Sequence, residues 1–263
     1  MVRVRRDRVH AGDGDTDGDK GNVVKIHDVV QGTEKWLAVR AGIPTASELG
    51  SLITDGGELR KWDTEMPNTY LARKLAERWT GYPLQSFGGG VMEQGAILEE
   101  EAIPWYCAEY RVDLQRVGFL TTDDGSFGSS PDAIDDERGY EIKCPQPTNH
   151  VKWLLAGGCP AEHVLQCQGG MYVMECDEWR FVSYCRGVPL PLVVTVEQDA
   201  KIQDVIDDAM DHFRNHMEEA WAVLLDKNGG PPIKRNAPRV VERPSDPFAV
   251  GPEFFTPNFR SKP

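Results

Sequence analysis

Between residues 116 and 143 the chain breaks into four short runs of β-forming residues, Arg116–Thr121, Phe127–Ser129, Ala133–Asp135 and Tyr140–Lys143, divided by Asp- and Gly-rich turns. Runs this short, punctuated every few positions, cannot sustain a helix and read as a meandering sheet. The flanking sequence has the other period. Helical spacing of apolar residues covers Thr69–Trp79 and Met92–Tyr110 upstream, and about 148–156, 161–175 and 197–222 downstream. Two further strand-like runs, Trp179–Cys185 and Leu190–Val196, precede the last helix. Helix-start signatures stand at Thr33, ahead of Trp36, Leu37 and Val39, and at Thr45-Ala-Ser-Glu48. Helices on both sides of one group of strands give an α+β fold, with a mixed central sheet of α/β type flanked by helices.

The ends differ from this middle. Residues 1–22 combine Arg3, Arg5, Arg6 and Arg8 with the Gly/Asp run Gly12–Asp19 and read as a disordered arm. Alternating Asp13, Asp15, Asp17 and Asp19 lack the glycine placement and closing Glu of a calcium loop. Residues 227–263, with repeated prolines, read as a flexible tail, which leaves residues 23–226 as one domain. No apolar run reaches the roughly 18 to 20 residues of a membrane span, and no apolar leader opens the chain, so a cytoplasmic protein without membrane contact is expected. The six cysteines contain no C-x-x-C pair, which argues against zinc, an iron–sulfur cluster or a disulfide framework.

Chemistry concentrates in Ser130-Pro131-Asp132, followed after a turn by Glu141-Ile142-Lys143. On a strand, residues i and i+2 share a face, so Glu141 and Lys143 project together and Asp132 can meet them across a hairpin. Two carboxylates suit Mg²⁺, or Mn²⁺, as hard oxygen-loving ions whose bound water can attack phosphorus. Lys143 beside them could orient that water and stabilise charge on phosphoryl oxygens. Taken alone, such a string more often marks a salt-bridged surface hairpin. Glu99 could reach the same metal from its helix, although a Glu in a run of three is usually solvated. Gln166 and Gln168, set among Val164, Leu165, Met171 and Val173, suggest a helix face turned to a site.

These pieces, in order, resemble the lambda-type exonucleases, or YqaJ-like viral recombinases, of the PD-(D/E)XK nuclease superfamily. The matching residues are Gln31-Gly-Thr-Glu-Lys-Trp36, Arg40, Thr45-Ala-Ser-Glu48, Leu75-Ala-Glu77, Thr80-Gly81, Gly95 with Glu99, Ser130-Pro-Asp132, Glu141-Ile-Lys-Cys-Pro145 and Gln166-x-Gln168 with Met171. The resemblance implies a restriction-endonuclease-like core in which Asp132, Glu141 and Glu99 bind the metal, Lys143 is the catalytic lysine and Gln166 stands beside the site. It places Arg40, Ser47 and Ser130 at the 5′-terminal phosphate, a role that a guanidinium and a helix-start hydroxyl suit chemically. Solvated Arg and simple capping Ser are the plainer readings of Arg40 and Ser47. The resemblance further implies a 5′→3′ exonuclease on double-stranded DNA ends. Its 3′ single-stranded tails would pass to a single-strand annealing protein, and the enzyme would be a homotrimeric ring, phage-encoded and active in the bacterial host cytoplasm.

Two other functions compete with this one: an endonuclease of the same superfamily, which needs no terminal-phosphate pocket, and a catalytically silent DNA-binding protein. The net charge of −13 excludes a protein that coats phosphate generally. A DNA enzyme with this charge must keep its acid away from a locally basic channel.

Overall fold

A computed structural model of the protein describes residues 24–81, 83–84 and 91–231. The expected arm at 1–22, the Gly88–Gly90 cluster and the tail beyond residue 231 lie outside the described residues.

The first helix, α1 (Glu34–Arg40), starts where its cap signature places it: the Thr33 side chain accepts from the Trp36 N–H at 3.3 Å. The Thr45-Ala-Ser-Glu48 signature opens a 3₁₀ turn, Ala46–Ser51, in place of a longer helix. The Thr45 hydroxyl donates to the Glu48 carboxylate at 3.1 Å and caps no backbone N–H. Helices α2 (Glu65–Thr80) and α3 (Val91–Tyr110) complete the upstream half. Downstream come α4 (Pro147–Ala156), α5 (Ala161–Met174) and α6 (Ala200–Asn228). The last of these runs past its expected end at 222 until Gly229 closes it in the left-handed conformation at φ 70°.

The fold is α+β with a mixed sheet, as expected, but the strands form two sheets where one was expected. Strand β1 (Lys25–His27), too short to leave a pattern in the sequence, pairs with β2 (Phe119–Thr121), and β2 with β3 (Gly128–Ser129), all antiparallel. The second sheet runs β4 (Ala133–Ile134), β5 (Gly139–Lys143), β6 (Glu178–Ser183) and β7 (Leu192–Glu197). It is mixed, since β5 and β6 are parallel while the outer pairs are antiparallel. The break falls at Ser130–Asp132. Pro131 has no N–H for a ladder, and its carbonyl accepts from the Gln31 side chain at 2.8 Å.

One core gathers the 3₁₀ turn, α2, α5 and α6 around Leu49, Ile53, Met171, Trp179 and Phe213. A smaller one lies between α3 and the second sheet, where Ala102, Ile103 and Tyr106 meet Tyr140, Ile142 and Val182. Tyr140 and Ile142 thus bury one face of β5, and alternation turns Glu141 and Lys143 to the other. The six cysteines are all free thiols. No described helix is long and apolar enough to cross a membrane.

Candidate active site

Asp132 is held by the strand it faces. Its backbone N–H donates to the Tyr140 carbonyl at 3.0 Å, and its Oδ2 accepts from the Ile142 N–H at 2.6 Å. This straps the Ser130–Asp132 segment across β5 beside Glu141 and Lys143. Glu141 is 2% exposed. Its Oε1 makes no well-formed hydrogen bond, although the Lys143 ammonium lies against it in an ion pair. The Gln166 side chain, from α5, lies beside the same carboxylate and favours its charged form.

Glu99 arrives from α3. It precedes Ala102 and Ile103 by three and four positions, so it shares the helix face that packs on the second sheet. Its two neighbours turn elsewhere: Glu100 pairs with Arg116, and Glu101 accepts from the Tyr184 hydroxyl at 2.6 Å and pairs with Arg186. The run of three glutamates therefore splits three ways.

Burial and crowding show in the ionisation of the group. Burial pushes Glu99 up to about 7, with Asp132 and Glu141 adding to the rise against Lys143 and Arg116. Burial also pushes Glu141 up to about 7, opposed by Lys143 and reinforced by Asp132. Asp132 is raised by burial, against the pull of Lys143 and the Ile142 N–H. Burial works against the charge of Lys143, yet Glu141 and Asp132 hold its ammonium above the ordinary lysine range. Three carboxylates around one lysine leave negative charge uncompensated, and the all-oxygen donor set suits Mg²⁺ or Mn²⁺. Among the described residues no three Asp, Glu, His or Cys side chains stand at mutual ligand distance, and Glu141 is paired with Lys143.

The second group of expected residues lies at the other end of the same segment. Arg40 is only 8% exposed, its guanidinium donating to Ser130 Oγ at 3.1 Å and lying 4.1 Å over the Trp36 ring. Among the described residues no carboxylate lies within 4 Å of it. Trp36 Nε1–H donates both to Ser130 Oγ and to the Gly118 carbonyl, each at 3.0 Å. Arg40 is therefore a buried cation, and the reading of a solvated helix-end charge is corrected. Ser47 is exposed and sits 3.4 Å from the Thr45 hydroxyl; among the described residues no hydrogen bond joins it to Arg40 or Ser130.

Gln168 is not at the site. Two residues from Gln166, it lies on the opposite side of the helix and is 2% exposed. There it donates to the Glu197 carbonyl at 2.8 Å and accepts from the Asp199 N–H at 3.1 Å, tying α5 to the start of α6. Sequence reasoning missed three residues that shape the site. Gln31 and Trp36 hold the Ser130–Asp132 segment, and their place in the matched string was the available signal. His163, one turn before Gln166, stacks on Phe181 with centroids 5.3 Å apart. Burial, with Lys143 adding to it, lowers His163 to about 4 and keeps it neutral.

Asp204, Asp207, Asp208, Asp211, Glu218 and Glu219 are exposed along α6. A cleft of about 670 Å³ lined by Asp123, Asp124, Asp204 and Asp207 contains none of the expected site residues.

Comparison with known proteins bears on the family and the fold. A family model described as the YqaJ-like viral recombinase domain matches residues 35–177. The alkaline exonuclease LHK-Exo of Laribacter hongkongensis, also solved in complex with dAMP, superposes with a TM-score of 0.66 at 27% identity, covering 75% of this chain and 98% of its own. A phage-related exonuclease from Haemophilus somnus 129PT has a TM-score of 0.52 at 15% identity, covering 69% and 96%, and bears on the fold alone. A search of curated proteins gives no match.

Proposed function

The chain belongs to the family of YqaJ-like viral recombinase domains, and we propose that, as a DNA exonuclease of this family, it degrades one strand of linear duplex DNA from 5′ to 3′ with Mg²⁺ or Mn²⁺. The observation that carries this reading is the pairing of two sites on one short segment. Ser130, bonded to the buried Arg40, and Asp132, facing Glu141 and Lys143, are two residues apart. Two extended residues reach about 7 Å, the scale of a single nucleotide. A terminal phosphate on Arg40 would thus present the adjacent phosphodiester to the carboxylates, so that cutting is counted from an end.

Glu99, Asp132 and Glu141 would hold the metal, which supplies an activated water and neutralises charge on the phosphoryl oxygens. Lys143 stabilises negative charge that builds on those oxygens in the transition state. Gln166, beside the Glu141 carboxylate, favours the charged form that a metal requires. The neutral His163 adds no charge beside Lys143. The 3′ single strand left behind is the substrate that a single-strand annealing protein requires. Family resemblance supports that partner and a homotrimeric ring.

Digestion of a linear duplex with 5′-phosphate or 5′-hydroxyl ends, beside a closed circle, tests the reading. Preferential loss of the 5′-phosphorylated strand supports it. Cutting of the circle at an equal rate replaces it with an endonuclease.

A further inference from the structure

Glu48 and Glu77 belong to the matched sequence pieces but take no part in the chemistry above. Both sit beneath the Arg40 pocket in a buried ionic cluster. Lys74, 3% exposed, places its ammonium 3.1 Å from Glu48 Oε2 and 3.2 Å from Glu77 Oε2. Glu48 also receives Arg73 at 2.6 Å, the Thr45 hydroxyl at 3.1 Å and the Tyr70 hydroxyl at 3.2 Å. Glu77 accepts from the Gly42 N–H at 2.9 Å, just beyond the end of α1, which carries Arg40. These two carboxylates are also counter-charges felt by Arg40, yet neither lies within 4 Å of it.

A buried guanidinium ordinarily takes a carboxylate partner. Here, among the described residues, Arg40, Arg73 and Lys74 face Glu48 and Glu77, three cations against two anions. The surplus positive charge is left on the side where Arg40 meets Ser130. We propose that Lys74 is a specificity-determining positioning residue: by holding Glu48 and Glu77 together it keeps both from Arg40, and so keeps that guanidinium free for the terminal phosphate of the DNA strand. The inference rests on the terminal-phosphate reading of Arg40. Lys74 touches no substrate and acts through the charge it occupies.

The test compares KM and kcat on linear duplex with 5′-phosphate and 5′-hydroxyl ends for the wild type, Arg40→Ala, Lys74→Met, Glu77→Gln and the double variant Lys74→Met/Glu77→Gln. Lys74→Met frees a carboxylate to neutralise Arg40. It should raise KM on phosphorylated ends by about 10- to 100-fold, the worth of a charge-assisted phosphate contact, with kcat on hydroxyl ends unchanged. The double variant restores the charge surplus without the lysine and should return KM towards the wild-type value. Glu77→Gln alone enlarges the surplus and should lower KM on phosphorylated ends, which a merely structural role would not do. If Lys74→Met does not fold, Glu77→Gln and the double variant decide the matter, and equal KM for both and the wild type overturns the proposal. A wild type without phosphate preference overturns the pocket itself, and the proposal with it. A preference lost in Arg40→Ala but kept in Lys74→Met overturns only the role of Lys74.

Discussion

Substituting Gly170 by Ala puts the packing beneath β5 to a quantitative test. A Cβ at this position on α5 would lie 2.4 Å from Trp179 Cη2 and 2.7 Å from both Cζ2 and Cζ3. The indole has nowhere to retreat. It is 1% exposed, and the same ring edge already closes on Gly139, where a Cβ would meet it at 2.2 Å. Overpacking of this kind costs about 3 kcal/mol at the upper end of its usual range, while Ala in place of Gly within a helix returns about 1 kcal/mol. The net loss is about 2 kcal/mol, which for a domain of this size lowers Tm by about 4 to 8 °C. Gly139 begins β5, which carries Glu141 and Lys143, so nuclease activity should fall as well once the indole is displaced. Gly158→Ala is the matched control, since nothing lies within 4 Å of its Cβ position. Calorimetry or thermal unfolding by circular dichroism reads the difference. A Gly170→Ala protein with unchanged Tm would refute the close contact of α5 with Trp179.

Other expectations follow from the same geometry. Trp36→Phe keeps the ring under Arg40 but deletes the N–H shared by Ser130 and Gly118; it should cost about 1 kcal/mol and weaken discrimination between phosphorylated and hydroxyl ends, read by unfolding and by initial rates. Lys143→Ala should reduce kcat by about 10²- to 10³-fold, as loss of a transition-state charge partner does, while DNA affinity measured in Ca²⁺ changes little; a large affinity loss instead would contradict the assigned role. Burial raises the carboxyl of Glu48, but Lys74 and Arg73 override this and hold it below the ordinary range. Its stabilising contribution is therefore full above the unfolded value of about 4.3 and disappears as pH falls through the depressed folded value. Stability of Glu48→Gln should be lower at pH 7 and less steeply pH-dependent below about pH 4.3, as followed by urea unfolding.

What the sequence could and could not reveal follows from the range of the interactions involved. Thr33 and β5 were legible because capping and alternation are local: the residues that decide them are three or two positions apart. The pairing of β4 with β5 was legible for the same reason. Assignment of β2 and β3 to a second sheet was not, because it depends on β1, nearly 100 residues upstream, and on Gln31 holding the Pro131 carbonyl. Among Glu99, Glu100 and Glu101 periodicity alone cannot choose, and α3 must be docked before one of them faces the carboxylates. Lys74 looks like an ordinary surface lysine of a charged helix, and only the 3₁₀ turn bearing Glu48 reveals it as buried. Gln166 and Gln168 seemed equivalent by composition, but helical geometry sends one to Glu141 and the other to the head of α6.

The central claim is that Asp132, with Glu141 and Lys143, is the metal-dependent catalytic centre. Asp132→Asn is the most direct probe, because an amide oxygen can still accept the Ile142 N–H that holds the segment in place. Release of mononucleotides from a 5′-phosphorylated linear duplex should be measured with Mg²⁺ and with a chelator, for wild type and variant, alongside DNA binding. Release that requires both the metal and Asp132, with binding retained by the variant, is the predicted result. Wild-type release undiminished by the chelator, or a variant that digests at the wild-type rate, would contradict it.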